Sequence, residues 1–199
     1  MPLDINGLIF SFAAYLLGSI PFGLLVSRLY GTPDPRLAGS GNIGFTNVLR
    51  LSGKKAGILT LLGDLGKGWI VGWVGVSFYS QTVWGLVGVL AVVAGHIFPI
   101  FLKFQGGKGV ATAFGGILGI HFVVGVILVC IWLGAVGIWR YSSGGALMAF
   151  GTFPLVSWLV VGKEDFFVFS LLLSSAVLLK HKENIQRLLH GTEPRMGVR

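Results

Sequence analysis

Cysteine is almost absent: Cys130 is the only one in 199 residues. One thiol excludes an intrachain disulfide framework and a thiol-rich metal site, and its setting, VGVILVCIWLGAVGIW, reads as that of a buried, inert side chain. Charge is nearly as scarce. Charged residues make up 11% of the chain against 54% hydrophobic, which excludes a water-soluble domain of this size. The start, MPLDINGLIF, lacks the basic region of a signal peptide, so the first apolar run is read as part of the mature protein. Internal repeats and low-complexity linkers are not evident, nor are the inverted repeats that mark many transporters. Acids are the scarcer charge, 7 against 15 basic residues, for a formal charge of +8. The basic residues are confined to short segments between apolar runs. They fit orientation against an anionic leaflet better than nucleic-acid binding, and no nucleic-acid partner is expected.

What is present is apolar length and glycine. Apolar segments lie near 5–29, 56–79, 83–104, 110–139, 145–161 and 166–179, each long enough to span a bilayer or nearly so. Thirty-two glycines indicate helices packed closely through small residues. The 110–139 run is either one tilted helix or two short ones folded back near Gly119-Ile120-His121. Basic residues decide between these: Arg28, Arg36, Arg50, Lys54 and Lys55 before the second run, and Lys180, Lys182, Arg187, Arg195 and Arg199 in the tail, belong on the cytoplasmic side. Two helices also bring Lys103, Lys108 and Arg140 inside, leaving outside only Asp4, Ser80-Gln81-Thr82 and Lys163-Glu164-Asp165. The expected fold is therefore all-α and polytopic: one membrane-embedded domain over 1–199, seven transmembrane helices, N-terminus outside and C-terminus cytoplasmic. Trp84 and Trp158 are expected near one interface and Trp139 near the other.

The stretch GSGNIG at 39–44 fits the G-x-G-x-x-G pattern of a dinucleotide turn, with Asp64 about 20 residues on. No strand precedes it and Asp64 falls in the second apolar run, so that reading fails. What survives is a backbone able to present N–H groups to an anion. The whole segment GSGNIGFTNVLR adds hydroxyls, amides and Arg50; taken alone it reads equally as a polar turn capped by Ser40 and Asn42. A second loop, QGGKG at 105–109, lies between two apolar runs. It is not a Walker A loop, because Leu102 and Gly109 stand where that pattern needs glycine and a hydroxyl residue. Lys108 and the N–H groups of the helix starting near Gly109 are able to meet one anion; the bland alternative is a glycine turn with an orientation-setting lysine. A third segment, KHKENIQRLLHGTEPR, is basic and amphipathic, with His181, Asn184 and Leu188 on one helical face; alone it reads as a membrane-surface helix ended by Gly191.

Arg140-Tyr-Ser-Ser143 adds one more basic group and two hydroxyls on the same side. Asp64 and Lys67 sit deep in an apolar run at i, i+3 and are expected to pair, in a structural rather than catalytic role. His121 is expected in an outer turn and His96 in packing, with one hydrogen bond. Each polar segment alone has an ordinary explanation, but the charge-derived topology puts all four on one membrane face. The joint reading is a cytoplasm-facing site for one or two phosphates on a bundle able to hold an acyl chain.

These segments resemble the bacterial acyl-phosphate:glycerol-3-phosphate acyltransferases, the PlsY family. GSGNIGFTNVLR, GHIFPIFLKFQGGKGVAT and HKENIQRLLHGTEPR match three family motifs in order, with PDPR and RYSS matching besides, over essentially the whole chain. Phe45 departs, since the family usually has a small residue there. The resemblance implies transfer of a fatty acyl group from acyl phosphate to the sn-1 hydroxyl of glycerol 3-phosphate, giving lysophosphatidic acid and phosphate, the first acylation of phospholipid synthesis. It implies a multi-pass enzyme of the bacterial inner membrane, its active site facing the cytoplasm, with no metal and no cofactor. Implied partners are glycerol 3-phosphate, a fatty acyl phosphate, the lipid bilayer and the enzyme that makes acyl phosphate. By motif match, Ser40, Arg50, Lys108, Ser143, His181 and Asn184 bind and orient the two phosphates. Gly106, Gly107 and Gly109 let the backbone approach, and Asn42, Thr46 and Asn47 shape the first loop. Glu193 is expected to hold Arg50 or Lys108 or to orient the glycerol hydroxyl, and His181 as base or as hydrogen-bond donor are both open. The chain lacks an H-x-x-x-x-D pattern, since Phe101, Val126, Gln186 and Arg195 follow the four histidines, and it lacks a G-x-S-x-G elbow. Direct attack on an already activated acyl group fits those absences. The rivals are a small anion transporter and an acyltransferase using acyl-CoA or acyl carrier protein.

Overall fold

The computed structural model describes residues 4–79 and 82–197; the expected outer Ser80-Gln81 and the basic Arg199 lie outside the described residues. Among the described residues the secondary structure is helical throughout, with no strand. The helices are α1 (Ile5–Gly18), α2 (Phe22–Leu29), α3 (Phe45–Phe78), α4 (Thr82–Ile97), a 3₁₀ turn (Ile100–Leu102), α5 (Val110–Ile120), α6 (Phe122–Trp139), α7 (Ser142–Val160), α8 (Glu164–Lys180) and α9 (Lys182–Leu189). Among the described residues, four stretches are long and apolar enough to cross a membrane: Ile5–Leu29, Val83–Leu102, Phe122–Trp139 and Ser142–Val160. Two compact units result, Met1–Ile120 and His121–Arg199.

The break inside 110–139 falls where the sequence placed it. His121 leaves helical geometry, and its Nδ1 accepts from the Val124 amide at 3.3 Å as the N-cap of α6. Two other boundaries differ. The 5–29 run is two helices, because Pro21 has no N–H to continue the ladder. The second run starts at Phe45 rather than 56, and its helix kinks at Gly53, where φ is 82° and ψ 179°.

In the first unit α3 packs most extensively on α5, and glycine makes the approach possible. A Cβ at Gly68 would meet the Thr112 carbonyl, at Gly72 the Gly116 carbonyl, and at Gly115 the Leu65 carbonyl. Backbone cannot yield as a side chain can. Gly115→Ala is therefore expected to cost about 1–3 kcal/mol, the range for overpacking, visible as a lower melting temperature in detergent; an unchanged one would contradict this packing.

The second unit packs α6 on α7 and α7 on α8. Its core is an aromatic cluster, Phe150, Phe153, Phe166 and Phe169, with Phe153 edge-on to the other three at 6.0–6.4 Å between centroids. Ser157 and Ser170 exchange a 2.9 Å hydrogen bond between α7 and α8. Cys130 is exposed on α6, so the expectation of a buried thiol is wrong: the apolar stretch around it turns much of its surface outward.

Candidate active site

In the first unit, loop 30–44 is organised by one buried side chain. Asn47, in the first turn of α3, donates from Nδ2 to the carbonyls of Pro35, Ala38 and Asn42 at 2.9–3.1 Å. Its Oδ1 accepts from the Ser40 amide at 2.9 Å. Gly39 and Gly41 have φ of 64° and 70°, and a Cβ on Gly39 would collide with Asn47 Oδ1. Asn42 Oδ1 accepts from the Gly44 amide at 3.3 Å in an Asx turn. Ser40 is exposed, and Thr46 and Arg50 are one turn apart on the same face of α3. Upstream, Asp34 takes its own loop's Arg36 by both oxygens. The hydrogen bonds from Arg36 hold its carboxyl below the ordinary range.

The QGGKG loop folds back onto the end of α4. Gly106 N–H donates to Ile97 O at 3.2 Å and Gly107 N–H to His96 O at 3.0 Å, satisfying carbonyls the helix end leaves open. Lys108 follows directly, half-buried, and Gly109 turns with φ of 80°.

Beneath this loop lies a buried charged cluster. Lys67 Nζ is 2.9 Å from Asp64 Oδ1, with both side chains about 98% or more buried. The expected pair is present, and His96 joins it: its Nδ1 is 3.0 Å from Lys67 Nζ and 3.3 Å from Asp64 Oδ1. Lys67 also donates to the carbonyls of Gly18 and Ile20 at 2.9 and 3.0 Å, which lie at the α1–α2 break.

In the second unit, His181, Asn184 and Leu188 form the inward side of α9, as their spacing predicted, with the first two buried. His181 Nδ1 lies 2.8 Å from Val177 O. A carbonyl only accepts, so Nδ1 carries the proton and Nε2 is the acceptor in the neutral ring. Glu193 Oε1 accepts from Ser143 Oγ at 2.6 Å and from Asn184 Nδ2 at 2.7 Å, while Oε2 accepts from Arg187 Nε at 2.7 Å. Within its own unit, Glu193 thus gathers a serine, an asparagine and an arginine. Arg187 went unnoticed as more than a basic tail residue, although it stands at i+3 from Asn184. The tail beyond is strapped to the α6–α7 turn: Met196 N–H donates to Arg140 O at 2.7 Å, and Arg195 lies over the Tyr141 ring at 5.6 Å.

Burial raises the Glu193 carboxyl, but the hydrogen bonds from Ser143, Arg187 and Asn184 together outweigh it and hold the group below its ordinary value of 4.5. A lowered folded value means the docking is fully present above the ordinary value and is lost as pH falls through the lowered one. Hydrogen exchange at the Met196 amide, corrected for intrinsic rates, should therefore show protection down to below pH 4.5. Glu193→Gln should lose much of that protection at pH 7; equal protection in the variant would remove the carboxylate from this role.

These features define an all-α membrane protein. The glycerol-3-phosphate acyltransferase family model matches residues 8–191. A glycerol-3-phosphate acyltransferase of Methylococcus capsulatus is 46% identical over 187 residues, 94% of each chain. Among solved structures, the crystal structure of PlsY (YgiH), an integral membrane glycerol 3-phosphate acyltransferase, is similar in its glycerol 3-phosphate form with a TM-score of 0.90 and 37% identity, covering 96% of each chain. Its lysophosphatidic acid form is similar with a TM-score of 0.85, 35% identity and the same coverage. The chain belongs to the glycerol-3-phosphate acyltransferase family, a family of integral membrane enzymes.

Proposed function

We infer that the protein transfers a fatty acyl group from acyl phosphate to the sn-1 hydroxyl of glycerol 3-phosphate, giving lysophosphatidic acid and inorganic phosphate. The observation that carries this is the family match across residues 8–191, which takes in the first two polar motifs and the third as far as Gly191. The likeness to a structure in its glycerol 3-phosphate form supports the acceptor. Acyl phosphate as donor rests mostly on the motif resemblance, and its chemistry agrees: it is a mixed anhydride, so the protein has only to orient two anions and hold charge developing on oxygen.

In this reading the glycerol oxygen attacks the acyl carbon and the bond from that carbon to the phosphate oxygen breaks. The hydroxyl proton passes to a substrate phosphate oxygen, with no acyl-enzyme between. Ser40, Arg50 and Lys108 of the first unit, and Ser143, His181 and Asn184 of the second, bind and orient phosphate. Gly106, Gly107 and Gly109 open the backbone to it, Asn42, Thr46 and Asn47 hold the first loop, and Glu193 holds Ser143 and Asn184. Residues 1–199 act as one acyltransferase domain in the bacterial inner membrane, with seven spans, N-terminus outside, and the site facing the cytoplasm; the basic segments support that orientation. Purified protein given glycerol 3-phosphate with palmitoyl phosphate, and in parallel with palmitoyl-CoA, is expected to make lysophosphatidic acid from the first alone. Product only from the thioester would overturn the donor, and product from neither would favour an anion carrier.

A further inference from the structure

The Asp64–Lys67–His96 cluster takes no part in the reaction as written, yet two ions buried in an apolar segment cost several kcal/mol to desolvate. Its geometry says what it holds. The Lys67 ammonium has three protons; two are committed to the carbonyls of Gly18 and Ile20 and the third faces His96 Nδ1, while Asp64 Oδ1 lies 2.9 Å away as the ion-pair partner. His96 Nδ1 is thereby held between an ammonium and a carboxylate, and the ring plane is fixed. The far edge of that ring faces the QGGKG loop: a Cβ on Gly107 would collide with His96 Nε2. The same loop is bonded to α4 through the carbonyls of His96 and Ile97, and Gly109 packs against Val93 and Ile97. Ring and carbonyl of one histidine thus seat Gly107 from two directions. The next residue is Lys108.

We propose that Asp64, Lys67 and His96 are positioning residues that fix the ring of His96 against Gly107 and so set where Lys108 begins. The functional half of this rests on the assignment of Lys108 to phosphate given above. His96→Asn keeps a polar group near the Nδ1 position and removes the edge that meets Gly107. It is expected to lower kcat/KM about 10- to 100-fold, as displacement of a substrate-positioning group does, with the melting temperature nearly unchanged. Amides 106–110 should exchange faster while those of α6 do not. Gly107→Ala should cost much more in the wild-type background than in His96→Asn, because the ring it strikes is gone; additive losses would mean that the ring does not seat Gly107. Additive losses, or exchange at 106–110 equal to wild type, would overturn the proposal. Should His96→Asn fail to fold, Asp64→Asn with Lys67→Met, which leaves no lone buried charge, takes the same exchange test with the same two outcomes. Exchange does not depend on turnover, so a wild-type protein inactive with every donor would remove the acyl-transfer reading while the exchange result still decided the loop's.

Discussion

Lys108→Ala is expected to lower acyl transfer about 10²–10³-fold, the loss found when one preorganised donor to a developing negative charge is removed. Position and chemistry both argue for it. Lys108 leaves a loop whose two preceding amides are bonded to the end of α4, and it enters α5 through a glycine at positive φ. The flanking backbone is therefore fixed without the lysine side chain, so its removal should leave the melting temperature within a few degrees. Lys108→Met, unbranched and nearly as long but uncharged, should lose as much, which separates charge from packing. Steady-state rates on palmitoyl phosphate check this; activity within threefold of wild type in either variant would take the ammonium out of the mechanism.

Asn47 should be as sensitive for a different reason. Its amide makes four hydrogen bonds to loop 35–42, three as donor and one as acceptor. Each buried group left without a partner costs about 1–3 kcal/mol, so the loop should open to water rather than stay in place with three bare carbonyls. Asn47→Ala is expected to lower activity about 10²-fold or more, since Ser40 loses its seat and misplaced groups cost that much. Amides of 35–44 should exchange faster, with α5 unaffected. Asn47→Asp is the sharper probe. It is nearly isosteric but accepts only, and would set a carboxylate against three carbonyls, so it should be no better than alanine. Retention of a third of the activity by the aspartate variant would show that these hydrogen bonds do not hold the site.

Local signals were legible in the sequence, and long-range partners were not. The break at His121 followed from charge distribution, and the inward face of α9 from spacing alone. The split at Pro21 was a local signal read past, because the apolar run continued through it. What makes the split tolerable is Lys67, 47 residues beyond the Ile20 carbonyl it caps, and no window of sequence connects them. Glu193 is similar: its acidity among residues expected to bind anions was visible, but its partners Ser143 and Arg187 are set by packing 50 and 6 residues away. His96 read as a packing residue because neither Asp64 nor Gly107 is its neighbour on one helix.

The most direct measurement follows phosphate and lysophosphatidic acid together, by phosphorus NMR, as purified protein acts on palmitoyl phosphate with and without glycerol 3-phosphate. Direct transfer predicts the two products in equal amounts when the acceptor is present, and without it no burst of phosphate matching the amount of enzyme. A stoichiometric burst in the absence of acceptor would reveal an acyl-enzyme and contradict the account.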